Sequence, residues 1–299
     1  MIDILHADII CVTETHLKND NVINASGFTS FVNNRKVVNS RLRKGSGGVA
    51  ILIKDSLLNF YGAKVIDNEC EGILGVELKS NEANDIIQVF CYLPPIDSPY
   101  SNTANFFGHL ISKIYMNSHV DMFLLAGDFN ARIGSKEDFI SHLDTIPKRV
   151  SIDKKVNAYC DVFIDFLKDM KLCTVNGRIT PDSDNFTCIN TKGNSVIDYI
   201  ITEHRSINHC LKCVVHTVTD LVSGSEELKS LISSQCKAPD HSVVSVQVKI
   251  SKRIEVLDDL VNKSTRKYSF HTTNVNFLKN TVWNSAVLEI IINLRVIFS

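Results

Sequence analysis

"LLAGDFNARIG", residues 124–134, decides how this chain is read. An apolar run that begins at Met122 stops abruptly in Asp128, Phe129 and Asn130. A strand that buries Phe123, Leu124 and Leu125 gains nothing in packing by ending on a carboxylate and a carboxamide. Side chains alternate along a strand, so Asp128 and Asn130 project together while Phe129 points back to the core. An Asp-x-Asn turn cap explains such a pair when it stands alone. The rest of the chain has to decide whether it does.

Working outward, short β-rich runs recur with turn residues between them. "DIICVTET" (8–15), "GGVAILIK" (47–54), "GILGVELK" (72–79), "DIIQVFCYL" (85–93) and "DMFLLAGDF" (121–129) have the length and β-branched content of strands. "SVIDYIIT" (195–202) and "HSVVSVQVKI" (241–250) are two more. The spacing predicts helices over 103–118, with Phe106, Phe107, Leu110, Ile111 and Ile114 on one face, and over 159–170. Many strands with few helices between them imply sheets packed on each other with helices outside. Segment 203–239 is polar and reads as an insertion. Residues 252–299 read as a linker and helical extension, which leaves 1–251 as the domain.

Composition narrows the function. With 44% apolar residues and a net charge of −1, the 299-residue chain can bury a sizeable core and is not a generically basic nucleic-acid binder. Nine cysteines without disulfide-like spacing suit a reducing compartment, nuclear or cytoplasmic. Cys11 and Cys91 read as core residues. "MIDILHADII" lacks the features of a signal peptide, and "AVLEIIINLRVIF" is too short and too charged to span a bilayer, so no membrane partner is expected.

The construction at Asp128 is repeated. "IICVTET" ends a buried strand on Glu14, "SVIDYII" sets Asp198 inside an apolar strand, and "APDHSVVSVQV" puts Asp240 and His241 directly before the last one. A buried carboxylate is costly unless paired. Turn chemistry does not explain four strands that carry acids at or near their ends. A divalent metal, a phosphodiester and a His–Asp pair would.

Taken in order, "TET", "GGVAILIK", "CYLPP", "LAGDFNARIG", "NGR", "FTC", "SVIDYII" and "PDHSVV" resemble the endonuclease/exonuclease/phosphatase superfamily. More narrowly, they resemble the apurinic-type endonuclease domain of non-LTR retrotransposons. The resemblance covers residues 3–250 and implies a four-layer α/β sandwich, two packed mixed β-sheets flanked by helices. It implies a metal-dependent endonuclease using Mg²⁺ (or Mn²⁺), with DNA as partner and no small-molecule cofactor. Glu14 then matches the metal-binding glutamate, with Asp240 near the metal. Tyr92 matches the tyrosine that contacts the scissile phosphate. Asp128 and Asn130 match the pair that orients the attacking water and stabilises the phosphate. Asp198 matches the carboxylate that holds the active-site His241, while Thr187 and Ser195 fall on supporting positions.

The resemblance also implies a preceding strand bearing an asparagine, and a reverse transcriptase region. This sequence starts one strand later, so one inner strand and one site residue are expected to be absent. Pro239 stands where a serine is usual. The rival expectations are a degenerate, catalytically impaired copy and another phosphoesterase of the superfamily.

Two further clusters stand apart from these motifs. Arg35, Lys36, Arg41, Arg43 and Lys44, beside Gly45, Gly47 and Gly48, form either a DNA-contacting loop or a solvated one. His204, His209, Cys210, Cys213 and His216 include a Cys-x-x-Cys, but a second pair is lacking unless Cys236 helps. Chance clustering is the expectation there.

Overall fold

Met122–Asp128 is buried at every position, so it must lie inside a sheet covered on both faces. The computed structural model describes residues 7–35, 47–81, 86–90, 103–116, 120–226, 229–230, 239–250 and 290–298. In chain order the first strands are β1 (Ile9–Thr13), β2 (Phe28–Asn33), β3 (Val49–Lys54), β4 (Tyr61–Asp67), β5 (Gly75–Ser80), β6 (Ile86–Phe90) and β7 (Met122–Asp128). There follow β8 (Leu172–Thr174), β9 (Cys188–Asn190), β10 (Gly193–Ser195), β11 (Asp198–Glu203), β12 (Cys210–His216), β13 (Val243–Ile250) and β14 (Ile290–Phe298). Helices are α1 (Asp55–Leu58), α2 (Thr103–Met116), α3 (Cys160–Asp169) and α4 (Val218–Ser223).

Two six-stranded sheets result, ordered β12-β13-β14-β1-β3-β2 and β4-β5-β6-β7-β11-β8. Both are mixed: β1 runs parallel to β14, and β6 parallel to β7, while the other pairs are antiparallel. The inner faces meet through Ile9, Cys11, Ile51 and Ile53 on one side and Val76, Leu78, Val89, Leu124 and Ala126 on the other. On its outer face the second sheet carries Phe90, Phe123, Leu125 and Tyr199 under α2 and α3, which contribute Phe106, Phe107, Phe163 and Phe166. Ile10, Ala50 and Leu52 face outward from the first sheet against Ile23 and Ala25. The chain is thus an α/β sandwich. No helix among the described residues is long and apolar enough to cross a membrane.

Three readings change. Much of 203–239 is regular structure: a 3-10 turn, β12 at the edge of the first sheet, and α4 with a Thr217–Asp220 capping box. In "CLKCVVH" the buried Cys210, Cys213 and Val215 are interrupted by the exposed Leu211 and Lys212. Residues 290–298, read as part of a helical extension, form β14, whose run of Ile290, Ile291 and Ile292 suits a central strand. The first sheet consequently has no gap where an inner strand was expected to be absent: β14 lies between β13 and β1.

Candidate active site

β7 and β11 are antiparallel neighbours, and their register sets Asp128 directly opposite Asp198. Both carboxylates are buried, and Asp198 has no exposed surface. His241, in the approach to β13, brings its Nδ1 to 3.1 Å from each Asp198 oxygen. An isolated bridge between Cys188 and His241 holds the approach segment in place, as do Ile189 N donating to Asp240 O at 2.7 Å and Ser242 N donating to Thr187 O at 2.7 Å. Thr187 is buried and its Oγ1 accepts from Ile197 N at 3.0 Å and Asp198 N at 3.1 Å, which explains a hydroxyl at this position. Ser195 contributes its carbonyl, which accepts from Thr187 N at 3.0 Å.

Asn130 follows β7 with φ +50°, in the left-handed region that asparagine tolerates better than most residues. Its N–H donates to Asp128 Oδ1 at 2.8 Å, closing an Asx turn that keeps both residues at the strand's end. Glu14, just beyond β1, is also left-handed, at φ +51°. Its segment is fixed from the facing loop, where Thr15 N donates to Gly48 O at 3.1 Å and His16 N to Gly47 O at 2.8 Å. A Cβ on Gly48 would lie 2.6 Å from Thr15 Oγ1, so the approach requires glycine. His16 is solvent-facing, with Nε2 4.0 Å from Glu14 Oε2.

The electrostatics follow from burying acids side by side. Burial raises the Asp128 carboxyl well above the usual carboxylate range, and Asp198 and Glu14 push it further, against His241 and the Asn130 N–H. Burial also raises Asp198, opposed by its bond to His241, the His241 charge and Thr187. For His241 burial favours loss of the proton. Hydrogen bonds to Asp198 and Cys188 and the charges of Asp198 and Asp128 outweigh it and push the imidazole up to about 11. Side by side, the two buried carboxyls resist carrying full charge together with only one imidazolium between them, and a bound cation would favour their charged forms.

One donor atom from each of Asp128, Asp198 and His241 lies within 4.8 Å of the others. Carboxylate oxygens are the donors that a hard divalent cation takes. Glu14 is near enough for its charge to act on Asp128, although Glu14 and Asp240 are outside that close group. A second group, Asp67, Glu69 and His109, is already ion-paired: His109 Nε2 sits 2.7 Å from Asp67, and Lys113 bridges Asp67 and Glu69 at 3.8 and 3.3 Å. That network joins β4 to α2.

Of the remaining expected residues, Tyr92, Lys36, Arg41, Arg43 and Lys44 lie outside the described residues, as does Cys91. Arg35 is half-buried, 4.0 Å from Glu71. The Cys/His cluster does not converge: Cys210 and Cys213 are buried thiols pushed far up by burial, His204 bonds Leu172 O at 3.0 Å, and His216 meets Ser245 Oγ at 2.8 Å. The structure adds residues that the sequence reading passed over. Arg132 forms a two-toothed pair with Asp153 at 2.7 and 2.8 Å, and Asp153 accepts from Val196 N at 3.1 Å. This ties the segment after β7 to the lead-in of β11. Asn176 donates to Asp198 O and accepts from Ile200 N, both at 3.0 Å. Its signal was the "NGR" motif, which sequence alone gave no role.

Residues 2–231 match the Endonuclease/Exonuclease/phosphatase family. The chain belongs to that family. Its members are typically metal-dependent nucleases and phosphatases, and the Asp128–Asp198–His241 group could hold a metal ion. Among solved structures, the chain is similar to an AP endonuclease, LMAP, from Leishmania major, at 11% identity and TM-score 0.52 over 81% of this chain and 78% of that one. A 3'-5' exonuclease (NExo) from Neisseria meningitidis matches at 14% and 0.50 over 81% and 89%. The endonuclease domain of TRAS1, a telomere-specific non-LTR retrotransposon, matches at 17% and 0.48 over 81% and 85%. At such identities the first two likenesses establish the fold. No curated protein matches the chain.

Proposed function

We propose that this chain is a Mg²⁺-dependent phosphodiesterase that nicks DNA, the endonuclease of a non-LTR retrotransposon. The observation that carries the reading is the convergence of Asp128, Asn130, Asp198 and His241 from separate elements at one end of the sandwich. The retrotransposon branch rests on "CYLPP", "NGR" and "SVIDYII", and the element would supply the reverse transcriptase region. A metal held by the Asp128–Asp198 end of the cluster, with Glu14 beside it, would neutralise charge developing on the phosphate and leaving oxygen.

The chain's own residues do the rest. Asp128 accepts a hydrogen bond from the attacking water and orients it in line. Asn130 donates its amide to a phosphoryl oxygen without adding repulsion. His241, fixed by Asp198, holds its proton and so serves as a cation facing the phosphate. Arg35, Lys36, Arg41, Arg43 and Lys44 would contact flanking phosphates, giving salt-dependent binding.

Nicking of supercoiled plasmid tests this. Mg²⁺-dependent conversion to open circles, abolished by EDTA and lowered at least about a hundredfold in His241→Ala, is expected. A folded wild-type chain that never cuts with Mg²⁺ or Mn²⁺ would sink the proposal.

A further inference from the structure

Asn157, in the segment that leads into α3, makes three hydrogen bonds to the turn that carries Asn130. Its Nδ2 donates to Asn130 O at 2.7 Å, and its Oδ1 accepts from Arg132 N at 3.1 Å. Its backbone N–H donates to Arg132 O at 3.2 Å. The same Oδ1 accepts from Tyr159 N at 3.2 Å, and Cys160 N donates to Asn157 O at 3.1 Å, so the residue is also anchored to the start of α3.

Asn130 needs such a partner. At φ +50° its backbone sits in the left-handed region, which even asparagine keeps at some cost and which surrounding structure must therefore hold. The Asx turn with Asp128 holds its N–H. Asn157 fixes the Asn130 carbonyl from a different part of the chain. One carboxamide thus spans Asn130 O and Arg132 N, and Arg132 is in turn locked by Asp153.

We propose that Asn157 is a positioning residue, whose carboxamide fixes the peptide plane after Asn130 and thereby the direction in which the Asn130 side chain meets a phosphoryl oxygen. The inference rests on the role given to Asn130 above. A residue that only started α3 would affect folding and leave turnover of the folded enzyme alone.

The experiment compares Asn157→Ala and Asn157→Asp with the wild-type chain by plasmid nicking and thermal unfolding. The aspartate keeps the acceptor for Arg132 and Tyr159 but loses the donor to Asn130. Both variants are expected to lower kcat about ten- to a hundredfold with KM nearly unchanged, as loss of a group that orients a catalytic residue does. The aspartate should do so with little change in melting temperature. In an Asn130→Ala background, Asn157→Asp should cost no further kcat. Losses that track only the folded fraction, or that multiply in the Asn130→Ala background, would overturn the role. If the wild-type chain does not cut, the functional reading fails separately, and crystal structures decide the inference: Asn130 leaving φ +50° in Asn157→Asp supports it, and Asn130 unmoved refutes it. Should the alanine variant not fold, the aspartate variant carries every comparison.

Discussion

Asp198 has no exposed surface and is held from both ends: its N–H donates to Thr187 Oγ1 at 3.1 Å, and its carboxylate faces His241 Nδ1 at 3.1 Å. The imidazole is the larger beneficiary. Without the carboxylate, burial alone would drive His241 toward its neutral form; with it, the ring keeps its proton to about 11. Replacing Asp198 with asparagine removes the negative charge while keeping the shape. The His241 titration, followed by NMR of the imidazole in EDTA, should then move to lower pH, below its ordinary value of about 6.5 if burial prevails. Nicking at neutral pH should fall with it, because fewer molecules carry the cationic ring. A midpoint that stays near the wild-type value would mean that Asp128, the other carboxylate acting on the ring, is what holds the proton.

At the scale of elements, "NGR" shows how a motif acquires meaning only in three dimensions. Asn176 braces the start of β11 and Gly177, at φ +65°, brings its backbone so close that a Cβ would lie 2.1 Å from Val150 O. Arg178 pairs with Asp138, both side chains without exposed surface, while Thr174 N and Oγ1 each donate to Asp138 at 2.9 Å. Burial works to raise the Asp138 carboxyl, but Arg178 and the Thr174 bond hold it below the usual carboxylate range. Its folded pKa is depressed, so its stabilisation is present above about pH 4 and lost as pH falls through the folded value. Asp138→Asn leaves a buried guanidinium unpaired and should destabilise by about 3–5 kcal/mol at pH 7. Urea unfolding should show that gap narrowing below pH 4; an equal gap at pH 3 and pH 7 would assign the stability to shape rather than charge. The same scale separates what was legible in the sequence from what was not. Met122–Asp128 announces itself as an apolar run that ends on an acid, and Asp198–Glu203 as an acid followed by the apolar Tyr199, Ile200 and Ile201. β12 does not, because an edge strand needs only alternate positions buried and its Lys212 and His216 break the pattern. Asp128, Asp198 and His241 could be matched to a known arrangement. Asn157 and Asp153 could not, since a side chain that bonds backbone across a loop leaves no periodic trace.

For the whole molecule, β14 is the element on which the site's geometry turns. It pairs in parallel with β1, from Ile9 opposite Leu294 to Thr13 opposite Phe298, and antiparallel with β13, from Val244 opposite Val296 to Ile250 opposite Ile290. β1 leads to Glu14 and β13 follows His241, so β14 sets the spacing between those two residues. Its removal would split the first sheet into β12-β13 and β2-β3-β1, leaving two unpaired ladders over the inner core. A chain ended at residue 289 should therefore unfold at a lower temperature, lose protection of β1 and β13 in amide exchange, and lose nicking even though Asp128, Asn130 and Asp198 remain on the other sheet. A peptide of residues 288–299 should restore part of all three. It no longer benefits from the tether, whose effective concentration is on the order of millimolar, so rescue should require a comparable peptide concentration. Full stability and activity in the shortened chain would show that another segment completes the sheet in solution, and that the spacing of Glu14 and His241 is set without β14.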